Sequence, residues 1–453
     1  MDSRIPRILL FSTLAAAALA LLSACYTRTQ SPPAPDTYET LHFSPGFMWG
    51  TATAAYQVEG GINNDWSKAG LDAGEAVDHY RRYEEDFQAA AEMGTNTYRM
   101  SVEWARLEPR PGEYNLEAVA HYRTMLRSLK AKGITPMVTL FHFTSPTWFA
   151  ESGGWTQAEN IQHYLRFTRF IVGELKDEVR WWLTLNEPLV YAFKCFDEGT
   201  WPPYQKSRPL ALQVIKHLIQ GHGEAYRIIH ELDPDAKVGF AKNITLLQPH
   251  FPLNPLDHFV TGIQSYVFNE AFWEAIRQGQ VELNIPGLTP VKVPYSEALK
   301  GSLDFIGINY YTRYLVTASG AQITPDNVKK SALGWEIYPQ GLYDVLKLAH
   351  RYARDLAVPI IITENGLDDP DDLQRPEFLL SHLKQIWRAQ QEGIKVIGYM
   401  HWSLLDNFEW AEAFHPKFGL MDRNRQWRPS AHLYRQIAES NSLPSPLLKE
   451  HLK

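Results

Sequence analysis

The sequence predicts an α/β chain folded as a (β/α)8 TIM barrel, a single catalytic domain. Three observations carry the prediction: eight short β-rich runs, longer amphipathic segments between most of them, and a polar residue closing nearly every run. The runs are residues 47–52, 97–101, 136–141, 181–185, 237–241, 305–309, 360–363 and 396–400. Helical patterns fall at 77–93, 116–132, 158–175, 210–232, 341–354 and 377–391. Such alternation fits a closed barrel or an open doubly wound sheet. No Gly-x-Gly-x-x-Gly follows an early run, which favours the barrel over a nucleotide-binding sheet.

The barrel domain is expected over residues 42–440 of the 453. Ahead of it, residues 1–25 read as a lipoprotein-type signal peptide. Arg4 and Arg7 precede an apolar run from Ile8 to Leu22, too short and too rich in Ala for a membrane span, which ends in Leu22-Ser23-Ala24-Cys25. That tetrapeptide resembles the bacterial lipobox, and it makes Cys25 the expected lipidation site and membrane anchor. The predicted location is that of an exported, membrane-anchored bacterial lipoprotein, on the outer-membrane or periplasmic side if the cell is Gram-negative. Residues 26–41, with Ser31-Pro32-Pro33-Ala34-Pro35, read as an extended tether, and residues 441–453 as a C-terminal tail, loose beyond Leu443. The only other cysteine is Cys195, so stability must come from the core rather than from cross-links.

Composition excludes some partners. A formal charge of -7 is spread without a basic block, which argues against nucleic acid. Aromatic residues make up 13%, and their faces suit sugar rings as well as protein cores. The histidines show no metal-ligand spacing, so neither a metal nor a cofactor is expected.

In a barrel the chemistry gathers at the carboxyl ends of the strands. Those ends carry Gln57, Arg99, His142, Asn186 with Glu187, Asn243, Asn309 with Tyr311, Glu364 and Trp402. Two contexts stand out. Thr184-Leu185-Asn186-Glu187-Pro188 closes the fourth run, and Ile362-Thr363-Glu364-Asn365-Gly366 closes the seventh. A pair of carboxyl groups about 5–5.5 Å apart is what retaining glycoside hydrolysis requires, one to protonate the leaving oxygen and one to attack the anomeric carbon.

These two motifs resemble the acid/base and nucleophile motifs of glycoside hydrolase family 1. The likeness extends to Phe47-Met48-Trp49-Gly50-Thr51-Ala52 with Tyr56-Gln57-Val58-Glu59-Gly60, and to Trp402-Ser403-Leu404-Leu405-Asp406-Asn407-Phe408-Glu409-Trp410. The resemblance implies a retaining β-glycosidase of the β-glucosidase type acting on a β-glycoside or oligosaccharide, with Glu187 as acid/base and Glu364 as nucleophile. It also implies that Gln57, His142, Asn186, Glu409 and Trp410 hold sugar hydroxyls, with Trp402 as a platform and Trp335 on the aglycone side. Arg99 and Tyr311 are then expected to keep Glu364 ionised, with Asn309 as further catalytic support. Glu187 should carry a raised pKa from burial and from the charge of Glu364.

The chain departs from the family pattern at Phe143, where Trp is usual, at Thr144-Ser145 and at Ala413-Phe414. Phe143 lacks an indole N–H, which leaves the sugar open among glucose, galactose and fucose. Glu409 and Trp410 are kept, and Lys417 has no adjoining Ser and Tyr, which disfavours a phosphorylated substrate. The competing readings are a transglycosidase on the same scaffold and a non-catalytic glycan-binding protein.

Overall fold

The computed structural model describes residues 39–452, so Cys25, the signal peptide and most of the expected tether lie outside the described residues. Eight parallel strands close into a barrel: β1 Met48–Ala52, β2 Thr97–Ser101, β3 Thr135–Phe141, β4 Trp181–Asn186, β5 Lys237–Asn243, β6 Ile306–Asn309, β7 Ile360–Asn365 and β8 Val396–Trp402. Each strand pairs with the next in sequence, and β8 pairs with β1 to complete the ring. An open sheet is thereby excluded. Strands buried on both faces need apolar residues at successive positions, as Ile360-Ile361-Ile362 shows.

The helices of seven or more residues are α1 His79–Glu92, α2 Leu116–Ala131, α3 Ile161–Leu175, α4 Pro188–Phe196, α5 Arg208–Leu232, α6 Pro255–Ser265, α7 Ala271–Gln278, α8 Pro339–Leu356, α9 Arg375–Gln391, α10 Pro429–Ser440 and α11 Ser445–His451. In α8 a proline opens the first turn, Ala357 ends the helix in the left-handed region, and Leu342, Val345, Leu346, Ala349 and Ala353 form one buried stripe. The six expected helices are present with small shifts at their ends. Pattern reading missed α4, which buries Leu189, Tyr191, Ala192, Cys195 and Phe196 within nine residues and so shows too little polar face to reveal a period. It also missed the excursion between β5 and β6. That excursion holds the strand Leu246–Pro249, α6, a π-helical turn Tyr266–Glu270, α7 and a hairpin of Val281–Leu283 with Val291–Val293; Leu246–Pro249 joins Arg313–Val316 and Gln322–Ile323, which follow β6, in a small sheet.

The tail corrects an expectation. The sequence reads the segment beyond Leu443 as loose, yet it forms α11 and buries Leu447 and Leu448, while Ser442–Leu443 just ahead of it pairs antiparallel with Leu41–His42. The same pairing draws Leu41, assigned from sequence to the tether, into the body. Asn441 locks the junction: its carbonyl accepts from the Phe43 N–H at 3.0 Å and its side chain from Trp49 Nε1 at 2.9 Å. α11 packs against α9, and the burial of Leu443, Leu447 and Leu448 explains why this segment is held.

Candidate active site

The carboxyl ends of the strands surround a cavity of about 720 Å³. Of the twelve residues predicted for the site, nine line it: His142, Asn186, Glu187, Tyr311, Trp335, Glu364, Trp402, Glu409 and Trp410. Arg99, Asn309 and Gln57 lie behind this lining, each fully buried. Gln57 therefore differs from expectation. It does not line the cavity; its Nε2 donates to Asn407 Oδ1 at 3.0 Å, to the Phe408 carbonyl at 2.8 Å and to Glu409 Oε2 at 3.4 Å. Its Oε1 has no protein partner among the described residues.

The Asn-Glu-Pro sequence has a local reason. Glu187 adopts the left-handed region at φ 42°, where the chain leaves β4 and enters α4, and Pro188 supplies the first-turn geometry of that helix. The Glu187 N–H donates to the Ala241 carbonyl at 2.7 Å, which holds the strained corner. Its carboxyl does not cap the helix. Instead Oε1 accepts from Asn309 Nδ2 at 2.8 Å and from Asn243 Nδ2 at 3.2 Å.

The second motif is tied down at every position. Thr363 Oγ1 donates to Asn309 Oδ1 at 2.7 Å, which turns the amide nitrogen of Asn309 towards Glu187. Glu364 Oε1 accepts from Arg99 Nη1, and Oε2 accepts from the Tyr311 hydroxyl at 2.7 Å. Asn365 Nδ2 donates to the Tyr310 carbonyl at 2.7 Å, and its Oδ1 accepts from Tyr399 at 3.0 Å. Gly366 admits no side chain, because a Cβ there would stand 1.8 Å from the Trp402 carbonyl oxygen.

Arg99 links the two motifs. Its second amino group donates to Asn186 Oδ1 at 2.6 Å, and the same oxygen accepts from Asn309 at 3.3 Å. Asn186 is thus fixed with its carbonyl turned inward and its amide nitrogen left for a ligand.

Electrostatics divide the carboxyl groups into roles. Burial, then the charge of Glu364, push Glu187 up to about 7, while Asn309, Asn243 and Arg99 hold it from going higher. Glu187 is therefore largely protonated below neutrality. Glu364 sits between a guanidinium and a phenol, the surroundings of an anion. Burial and the two neighbouring glutamates push Tyr311 well above the usual phenol range, so it remains a donor. Burial and Arg99 hold His142 well below the usual imidazole range, which makes it a neutral ring. It lies nearly parallel to Trp402 and Trp410, and its Nδ1 has no partner among the described residues. Glu409 is pushed up to about 8 by burial, opposed by a hydrogen bond from Trp402.

Several participants escaped sequence reading. Asn243 was visible only as a polar strand end. Asn407, inside the Trp402 to Trp410 motif, holds Gln57 and is itself held, Nδ2 donating to Ser403 Oγ at 3.1 Å. Trp201 packs its ring on Phe143 at 5.0 Å, and Phe143 in turn meets Trp410 edge-on at 4.9 Å. Phe143 thus keeps the aromatic wall and removes only a donor.

A proton donor and a fixed carboxylate in one enclosed cavity perform double displacement. Glu364 attacks the anomeric carbon as the glycosidic bond breaks and the leaving oxygen takes the proton of Glu187. Water then attacks the same carbon, gives its proton to Glu187 and releases Glu364.

The profile of glycosyl hydrolase family 1 matches residues 39–443. The chain belongs to that family, and it is a retaining β-glycosidase. Among curated relatives it is 30% identical to a β-galactosidase of Pyrococcus woesei, over 91% of this chain and 100% of that protein. It is also 30% identical to a 1,4-β-D-glucan glucohydrolase of Thermotoga neapolitana, over 88% and 99%. A solved β-glycosidase of Pyrococcus horikoshii superposes with a TM-score of 0.84 at 35% identity, over 91% of this chain and 98% of that one. The Thermotoga maritima β-glucosidase in complex with glucoimidazole superposes with a TM-score of 0.80 at 29% identity, over 88% and 99%.

Proposed function

We propose that the protein is an exported, lipid-anchored β-glucosidase that releases terminal, unphosphorylated, β-linked glucose, with water as acceptor. The observation that carries the sugar reading is Glu409, a carboxyl at the cavity wall reached by Trp402 and Gln57. Its two carboxyl oxygens accept from adjacent hydroxyls, and a phosphate in their place would lose those bonds and face the carboxylate of Glu364. Lys417, the one cation near this motif in sequence, donates to the Phe414 carbonyl rather than standing free as a clamp. The anchor reading is supported by Leu22-Ser23-Ala24-Cys25.

Nitrophenyl β-glycosides of glucose, galactose, fucose and glucose 6-phosphate, with product analysis, test the sugar. The glucoside should show the highest kcat/KM; a faster galactoside or phosphoglucoside refutes the assignment. Labelling cells with radioactive palmitate tests the anchor: the label should be lost in Cys25→Ser, and an unlabelled wild-type protein would overturn that part.

A further inference from the structure

The wall that receives the leaving group is unlike the wall that receives the sugar. Because Glu187 protonates the leaving oxygen, the aglycone lies on its side, where Val190 and Phe193 of α4 line the cavity. Phe193 packs against Phe268 at 6.0 Å, and Val267 and Ile263 continue the lining along the α6 segment.

That segment does not stop at the cavity. Leu256, Phe259, Ile263 and Val267 recur at spacings of three and four, which places them on one helical face. The inner two line the catalytic cavity, whereas Leu256 and Phe259 stand 63% and 61% exposed. Phe251 and Leu253, just ahead of the helix, are 61% and 90% exposed. Asp257 and Thr261 secure the opposite face: Asp257 accepts from the Phe251 N–H, and Thr261 donates to the Asp257 carbonyl. An apolar track therefore runs unbroken from solvent to the leaving-group side of Glu187.

The polar groups beside the track are already engaged. Gln264 donates to the Gly320 carbonyl and accepts from Gln322, Lys194 pairs with Glu198, and Arg208 pairs with Asp197. A second sugar lying here would meet hydrophobic faces and satisfied polar groups, while a hydrocarbon chain would cover side chains that water now touches.

We propose that the α6 track is an aglycone subsite for a linear hydrocarbon chain, so that the enzyme prefers β-glycosides of long-chain alcohols or lipids over oligosaccharides. The inference rests on the β-glycosidase activity and is independent of which hexose is preferred. Occupation of the track by the substrate's own tail follows from its continuity with the catalytic cavity.

The test compares methyl, butyl and octyl β-glycosides, below their micelle concentrations, with the corresponding short oligosaccharides, in glucose and galactose series run in parallel. Each methylene that becomes covered should improve kcat/KM by up to about fourfold. The octyl compound should exceed the butyl by about tenfold or more, mainly through KM. In the double variant Leu256→Asp, Phe259→Asp, at two exposed positions, the octyl-to-methyl ratio of kcat/KM should fall by about tenfold. A ratio that ignores chain length, or oligosaccharides that gain more per added sugar than alkyl glycosides gain per chain, would overturn the proposal. So would a double variant that keeps its chain-length preference but no longer binds phosphatidylglycerol vesicles, since the patch would then serve a membrane surface.

Discussion

Glu187 must be an acid in the first half of the reaction and a base in the second, and the structure states how the change is driven. Its carboxyl stands at about 7 against an ordinary 4.5, with burial as the first cause and the Glu364 charge as the second. Forming the glycosyl-enzyme converts Glu364 from an anion to an ester, which deletes the second cause and leaves burial, Asn309, Asn243 and Arg99 in place. A unit charge about 5 Å away at an effective dielectric of about 20 is worth about 3 kcal/mol, and half of that is already about tenfold in proton affinity. The two states can be read separately. The alkaline limb of kcat/KM reports Glu187 in the free enzyme and should fall near pH 7. Reactivation of an enzyme trapped with a 2-deoxy-2-fluoroglycosyl group needs ionised Glu187, and its acid limb should lie about one to two pH units lower. Glu187→Gln should abolish that limb. Coincident limbs would refute the coupling and leave burial as the sole cause.

Removing the amide in Asn309→Ala deletes a 2.8 Å donor that holds the Glu187 pKa down, so the alkaline limb of kcat/KM should move up by about one pH unit; an unmoved limb contradicts the role. For Glu409, raised from 4.5 to about 8, the folded state retains a proton that the unfolded chain loses, so its contribution to stability falls as pH rises through that window. Glu409→Gln should therefore gain about 2 °C or more in Tm relative to wild type on going from pH 5 to pH 8, with kcat/KM reduced about 100-fold or more. A Tm difference independent of pH would count against the burial argument. Ending the chain at Asn441 removes Leu443, Leu447 and Leu448 and uncovers Leu41, each buried leucine being worth about 1.5–3 kcal/mol. The truncated protein should melt well below the full chain yet keep its KM, and an unchanged Tm would show that the tail is dispensable.

Much of the site was legible because the residues that do chemistry are the same ones that build the strand ends. Glu187 and Glu364 could be paired from sequence since each closes a β-rich run in a motif whose other letters are demanded locally: Pro188 for the helix start, Gly366 for the Trp402 carbonyl, Asn365 for the carbonyl of Tyr310. The barrel was legible because short, buried β-rich runs alternate with longer amphipathic helical patterns along the chain. What stayed hidden depends on contacts between distant segments. Gln57 behind Glu409, Asn407 behind Gln57, and Trp201 against Phe143 have no local pattern, because each is set by a residue far away in the chain. The excursion after β5 was hidden because its strands are three or four residues long and its two helices, of 11 and 8 residues, are too short to sustain a clear period. The tail was misjudged because its leucines find their partner in Leu41, some four hundred positions earlier.

The strap formed by Leu41–His42 and Ser442–Leu443 places both ends of the catalytic body beside the starting ends of the barrel strands, the pole opposite the sugar. It also makes the chain a natural subject for circular permutation: a short linker could join the old ends across the strap, and new ones could be opened in an exposed surface loop.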